Sequence, residues 1–231
     1  MSVFFSWERF FSNIPKIVPY FGVTCSIAFY GILFGSVAGF LIAWIKIKSV
    51  PFLRTIAAVF VSFMRGTPMI VQLMLVYYGL PPVIDAIFGT NINTGWDKVI
   101  FAYITFACNE AAFLSAIFYG AITAVPVGQL EAGYSVGLTT TQTLRKIILP
   151  QAVRYALPAF GTDVIGVFQG SSLVFMIGVT DIMGRAKTIG YASGHVLEAY
   201  LFAAVLYIAI SLLLRLLFAV WNRRLDYGGS V

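Results

Sequence analysis

The sequence predicts an all-α integral membrane protein of about five transmembrane helices, N-terminus outside and C-terminus inside. It also predicts an amphipathic interfacial helix ahead of them. Three observations carry this reading. Apolar residues make up 60% of the chain, against roughly 45–50% in soluble domains. Charged residues make up only 10%, against roughly 25% in soluble domains. The charges that exist are gathered between long uncharged runs, with Lys and Arg favouring one side. A soluble core of 231 residues has no use for that much apolar surface, whereas a bilayer requires it.

The first residues do not read as a cleavable signal peptide, because Glu8 and Arg9 interrupt the start and no small-residue cleavage site follows. Phe4, Trp7, Phe10, Phe11 and Ile14 instead fall at helical spacing, with Ser6, Glu8, Arg9, Ser12 and Asn13 opposite them. That pattern predicts a helix over 1–16 lying in the membrane interface. Residues 17–45 carry no charge and predict one tilted span, closed by Lys46 and Lys48. Pro51 opens a second segment, 52–80, broken at Arg65, Gly66, Thr67 and Pro68. The third covers 99–122 and holds a single acid, Glu110. A fourth covers 152–180, interrupted by Pro158, Gly161 and Asp163, and the last covers 199–221 and ends in Arg223 and Arg224.

Orientation follows from the basic residues. The inside holds Lys46, Lys48, Arg54, Arg145, Lys146, Arg223 and Arg224; the outside keeps Glu8, Asp85, Asp97, Asp181 and Glu198. Residues 1–231 form one membrane domain, without repeats.

Between Pro126 and Pro150 the chain turns polar. A short helix over 128–136 is stopped by Gly137, suited to a left-handed cap. A second starts at Thr139–Thr141, whose hydroxyls suit an N-cap, and should end near Ile148, because the residue before Pro150 avoids helical angles. Leu144, Ile147 and Ile148 share one face, leaving Thr140, Gln142, Thr143 and Lys146 on others. A connection of this length with its own capped helices points to a protein-docking surface rather than a plain loop.

Enzyme and nucleotide chemistry find little footing. No Walker-type glycine loop appears. Cys25 and Cys108 lie in apolar runs and read as packing residues, and His195 has no ligand-spaced neighbour, so neither metal nor cofactor is implied. The net charge of +6 reflects basic residues held on one membrane side rather than a nucleic-acid partner.

Three charges stand at membrane depth: Arg65, Glu110 and Asp163. Each costs about 2.5–3.5 kcal/mol on insertion scales and asks for a reason. Arg65 could hold a carboxylate bidentately, with Thr67 and backbone amides freed at Gly66–Pro68 assisting; Glu110 or Asp163 could meet an ammonium. The competing reading pairs Arg65 with an acid across a helix or subunit interface, and places Asp163 nearer the cytoplasmic edge.

The stretch Glu131, Ala132, Gly133, Gly137, Ile147, Leu149, Pro150 resembles the Glu-Ala-Ala motif of the permease subunits of bacterial ABC importers. Its spacing is the family's, and only Gly133 departs, standing for the second alanine. "RGTPMIVQLMLVYYGLP" (65–81), residues 125–158 and "SSLVFMIGVTDI" (171–182) are similar to the permeases for polar amino acids within that family.

The resemblance implies a type I importer fold in a bacterial cytoplasmic membrane. It implies an ATP-driven import role in which a cytoplasmic ATPase dimer receives the loop over 128–150 as a coupling helix. Glu131, Ala132, Gly133, Gly137, Ile147, Leu149 and Pro150 would then be coupling residues, with Thr139, Thr140, Thr141, Gln142, Thr143, Arg145 and Lys146 as the contact surface. A second permease copy or homologue and an external substrate-binding protein are also implied. ATP hydrolysis would belong to the separate ATPase, leaving this chain without a catalytic residue.

The substrate pathway would draw on Arg65, Gly66, Thr67, Pro68, Gln72, Glu110, Ser115, Asp163, Gln169, Ser171 and Ser172. Where the family commonly shows Ala-Glu-Ile-Phe-Arg-Gly, this chain has Ser115–Gly120 and loses both charges; Gln169–Ser172 replaces Lys-Asp-Thr-Ser, and Thr162 replaces Asn. A pathway so reduced in charge argues for a neutral or sulfur-containing amino acid rather than a strongly basic one. An ion- or proton-coupled secondary transporter, with Glu110 as proton site, is the alternative.

Overall fold

The computed structural model describes residues 5–89 and 95–225. Apolar runs of bilayer length satisfy every backbone group internally only as helices, and helices are what they form. Among the described residues, five stretches are long and apolar enough to cross a membrane: Trp7–Lys48, Met69–Phe88, Lys98–Thr123, Thr140–Ile177 and Val196–Leu225. Their helical bodies are α3 (Phe21–Lys48), α5 (Met69–Phe88), α6 (Lys98–Thr123), α9 (Leu149–Gly170) and α11 (Val196–Leu225). The shorter helices are α1 (Trp7–Ser12), α2 (Ile14–Ile17), α4 (Pro51–Gly66), α7 (Val127–Ser135), α8 (Thr140–Thr143) and α10 (Ile182–Ser193).

Helices α3 and α6 form the spine and run parallel. Gly31 lies on Phe106, Gly35 on Glu110 and Gly39 on Leu114 and Ser115. A Cβ at Gly31 would stand 2.9 Å from Phe106 Cβ, and one at Gly39 would stand 3.0 Å from the Ala111 carbonyl. Small residues every four positions let two membrane helices touch backbone to backbone. Helix α9 runs antiparallel to α6, matching Phe160 to Phe118, and antiparallel to α11, where Gln169 bonds Ser211 at 3.1 Å. The main core lies at the upper half of this bundle and includes Ile27, Leu73, Phe106, Phe168 and Val174.

The structure corrects several expectations. The expected interfacial helix forms over α1 and leaves Trp7 and Phe11 exposed, but it is also pinned to the bundle. Phe10 buries against Phe202 of α11, and Arg9 reaches Glu198 at 3.9 Å and His195 at 3.1 Å. Residues 1–4 of that expected helix lie outside the described residues. The 52–80 segment resolves into two helices, α4 and α5, and α5 runs past Pro81 and Pro82 to Phe88. Helix α9 likewise runs through Pro158, because packing against α6 and α11 on both flanks holds a helix that has lost one backbone bond.

The second short helix does not end at Ile148. A wide π-type turn over Leu144–Ile148 carries it directly into α9, with the Leu149 N–H bonding the Leu144 carbonyl. Pro150 sits in the first turn of α9, where a missing donor costs least.

Candidate functional site

Two regions concentrate polar groups that the bundle itself does not use: the α7–α8 loop and the middle of the helix bundle.

The loop is built as the sequence predicts up to Thr143. Helix α7 follows Pro126, Gly137 takes φ +79°, and Thr139 caps α8 through a reciprocal box with Gln142. The Thr139 Oγ1 accepts from the Gln142 N–H at 3.3 Å, and Gln142 Oε1 accepts from the Thr139 N–H at 2.9 Å. Beneath, Leu130, Leu144, Ile147 and Ile148 pack on Ile122, Val125 and Ala152. Above, Glu131, Ala132, Thr139, Thr140, Thr141, Gln142, Arg145 and Lys146 are exposed, and so is Val136 at 74%. The loop therefore presents a rigid, mixed polar and apolar crest at the end of the bundle that also carries Lys46 and Arg223.

Gly133 is the exception to that crest, being buried. A Cβ there would collide with the Thr143 side chain, and Thr143 is itself fully buried and bonded to the Thr139 carbonyl at 3.0 Å. The departure from alanine at Gly133 is thus matched by the threonine it packs on.

At mid-bundle, Glu110 of α6 and Asp163 of α9 come together on the wall of one cavity. Asp163 is level with Glu110 rather than nearer the basic end, because α9 is antiparallel to α6 and the two residues are both close to mid-helix. Both carboxyls line a cavity of about 220 Å³ with Asn109, Phe106, Phe113, Gly166 and Gly170. Glu110 Oε2 and Asp163 Oδ2 are buried and have no hydrogen-bond partner among the described residues. Buried acceptors without donors are costly. Two ionised carboxylates placed there would repel each other, and a cationic donor between them would answer both deficits.

Beside this cavity, Gln72 closes the break between α4 and α5. Its Nε2 donates to the Met64 carbonyl at 2.7 Å and to Thr67 Oγ1 at 2.8 Å, and its Oε1 accepts from Asn109 at 2.8 Å. The Met64 and Thr67 carbonyls at the break are thereby occupied, so the break is a structural joint tied to the cavity wall. Arg65 does not enter the cavity. Its guanidinium lies over the Phe113 ring, 5.4 Å from the centroid, and opens into a separate groove with Lys46 and Ser62.

The remaining expected pathway residues scatter. Ser115 is fully buried against Gly39, giving its hydroxyl to the Ala112 carbonyl. Ser171 is buried and bonds the Phe168 carbonyl. Gln169 and Ser172 line an outer groove with Tyr200 and Tyr207. Buried Asp181, at the start of α10, accepts from the Gly184 N–H at 2.8 Å and the Tyr207 hydroxyl at 3.1 Å. Burial pushes its carboxyl above the usual aspartate range, partly offset by those bonds.

One charge at membrane depth escaped the expectations drawn from sequence: Arg215, alone between Glu198 and Arg223 on α11. The signal was present, since it interrupts an otherwise apolar span, but the flanking Arg223 and Arg224 make the span look complete without it.

Comparison with known proteins agrees with this architecture. Residues 31–227 match the model of the family described as binding-protein-dependent transport system inner membrane component. The chain is 38% identical over 213 residues to the L-cystine transport system permease protein TcyL of Bacillus subtilis (strain 168), covering 92% of this chain and 88% of that one. It is 35% identical over 222 residues to the probable amino-acid permease protein YxeN of the same organism, covering 95% and 96%. Among solved structures, an amino acid ABC transporter crystallised with histidines superposes with a TM-score of 0.83 at 29% identity, covering 97% of this chain and 100% of that chain.

Proposed function

The chain belongs to the family of binding-protein-dependent transport system inner membrane components, and from that premise we propose that it passes an amino acid inward across a bacterial cytoplasmic membrane. In this reading it is the membrane-spanning subunit of an ATP-driven importer, and ATP is hydrolysed on separate cytoplasmic subunits. A binding protein outside delivers the substrate, and a second permease, identical or homologous, completes the pathway. Nothing in the family match favours the ion- or proton-coupled alternative.

The observation that carries the importer reading is the α7–α8 crest. It is anchored from below by Leu144, Ile147 and Ile148, bent at Gly137, and joined without interruption to α9. A push on the exposed Glu131, Thr139–Gln142, Arg145 or Lys146 is transmitted through the Gly133–Thr143 contact to Leu149 and Pro150 and along α9, the helix that carries Asp163. The π-type turn is the place where such a stroke can be absorbed or released. This gives the loop a mechanical reason to be an ATPase-coupling element.

The cavity between Glu110 and Asp163 supports an ammonium-bearing substrate. An ammonium offers three donors, and two buried acceptors stand open there. Gln72 and Asn109 hold the wall in register, while Thr67, Gly66 and Pro68 form the joint that lets α5 move relative to α4. The loss of further charges at Ser115–Gly120 and Gln169–Ser172 favours a neutral substrate, and relatives named for L-cystine support a sulfur-containing one.

The test is uptake of radiolabelled amino acids, L-cystine included, into proteoliposomes holding the complete importer, with and without ATP. ATP-dependent uptake is expected. Uptake driven by an ion gradient without ATP would refute the importer. Glu110→Gln keeps shape but removes the charge, and is expected to lower uptake by about tenfold or more, the loss of one charge-assisted contact. Normal uptake in that variant would remove Glu110 from the pathway.

A further inference from the structure

Helix α9 separates two cavities of opposite character. On one flank lies the Glu110–Asp163 cavity; on the other, a groove of about 400 Å³ between α9 and α11. Gly166 lines both, so the wall between them is bare backbone at that point. The groove holds Thr162 and Gln169 from α9, and Arg215 and Asn222 from α11. Its volume is within the range of about 300–1,000 Å³ common for small-molecule sites.

Arg215 is exposed in the groove, and no acid pairs with it among the described residues. It stands eight residues before Arg223, about 12 Å into a hydrocarbon layer of about 30 Å. Side chains on a helix lean toward its N-terminus, so Arg215 starts out pointing away from the basic end and its headgroups. Toward that same direction the groove continues as polar surface. Tyr207, Ser211 and Arg215 follow at intervals of four on α11, Gln169 bonds Ser211, and Gln169 also lines the neighbouring groove with Ser172 and Tyr207. An unpaired guanidinium at that depth is tolerated where water or an anionic ligand reaches it.

We propose that Arg215, framed by Thr162, Gln169 and Asn222, is an anion-recognising site that receives the carboxylate of the transported amino acid. The guanidinium supplies a planar fork of donors matched to two carboxylate oxygens. Helix α9 then carries an ammonium site on one flank and a carboxylate site on the other, and because both charges of an amino acid sit on one carbon, the substrate occupies the two in succession rather than together. The inference rests on the amino-acid reading above. The same fork would also hold the phosphate of an anionic lipid, and the experiment separates the two sources.

The complete importer is reconstituted with R215Q, with R215K and with Thr162→Val/Asn222→Leu, the last keeping the charge but stripping the polar frame. Uptake of radiolabelled L-cystine and the common protein amino acids is measured, assembly is checked by mass photometry, and retained phosphatidylglycerol is read by native mass spectrometry. R215Q should lower the maximal uptake rate of whichever amino acid the wild type imports by about tenfold or more, R215K should retain more than R215Q, and bound phosphatidylglycerol should be unchanged. Uptake by R215Q within about twofold of wild type overturns the site. So does loss of phosphatidylglycerol with normal uptake, which would make it a lipid site. If R215Q fails to assemble, normal uptake in the Thr162→Val/Asn222→Leu variant overturns it, and reduced uptake there supports it. A wild type that imports none of the amino acids refutes the amino-acid reading itself, and the carboxylate site falls with it.

Discussion

Gly133 and Thr143 occupy one another's space: a Cβ on Gly133 would fall on Thr143 Cγ2 and stand 2.7 Å from its Oγ1. The contact fixes α7 against α8 and so sets the shape of the whole crest. Gly133→Ala is expected to cost about 1–3 kcal/mol, the usual penalty for overpacking a rigid contact, seen as a lower melting temperature and weaker co-purification with the ATPase. Adding Thr143→Ala should restore most of it. A double variant no better than the single one would mean that the two residues do not share a volume.

Gly137 links the same two helices at φ +79°, and its N–H bonds the Tyr134 carbonyl at 2.9 Å. Proline fixes φ near −65° and has no N–H, so Gly137→Pro must rebuild the bend. The expected result is an importer that still assembles and hydrolyses ATP but transports slowly, by comparison of hydrolysis and uptake in the same proteoliposomes. Tight coupling in that variant would place the stroke elsewhere.

Gln72 joins three elements, serving the α4 terminus, Thr67 and Asn109 of α6. Gln72→Leu keeps the volume but leaves the half-buried Met64 and Thr67 acceptors without their donor and the buried Asn109 amide without its acceptor. It is expected to destabilise the permease by about 2 kcal/mol or more, read by thermal unfolding in detergent. Gln72→Glu should be worse still, since it replaces the donor by a third carboxyl group beside Glu110 and Asp163.

Asp181 gives stability a pH dependence. Burial raises its carboxyl above the unfolded value, so the folded state holds the proton more tightly. Its contribution is therefore fully present below the unfolded value and is lost as pH rises through the folded one. Asp181→Asn, which can still accept from Gly184, should flatten the decline of melting temperature with rising pH over that window. A slope equal to that of wild type would assign the dependence to other groups.

Much of the site was legible in the sequence, for identifiable reasons. Turn chemistry is local, so Pro126, Gly137 and the Thr139–Gln142 box placed α7 and α8 nearly to the residue. The continuation through Ile148 was not, because avoidance of helix before proline is a local rule that a wide turn can evade. The partnership of Glu110 with Asp163 was hidden for a different reason. Each was visible as a costly charge, but which face of α6 meets which face of α9 depends on rotations that no local pattern specifies. Arg65 shows the reverse case: it was singled out for its charge, and packing set it on Phe113 instead of in the cavity.

By itself the sequence determined the solvent, the approximate number of the spans, and the place of the polar loop with its two short helices. These follow from the cost of charge in hydrocarbon and from backbone angles that glycine and proline fix within a few residues. The tertiary structure alone decided which charges face which. Gly31, Gly35 and Gly39 bring α3 onto α6, and α9 then lies across them with Asp163 on Glu110 and Gly166 bare between two cavities. Those contacts join residues dozens of positions apart, and only close packing of the whole bundle chooses among the rotations that would bring others together.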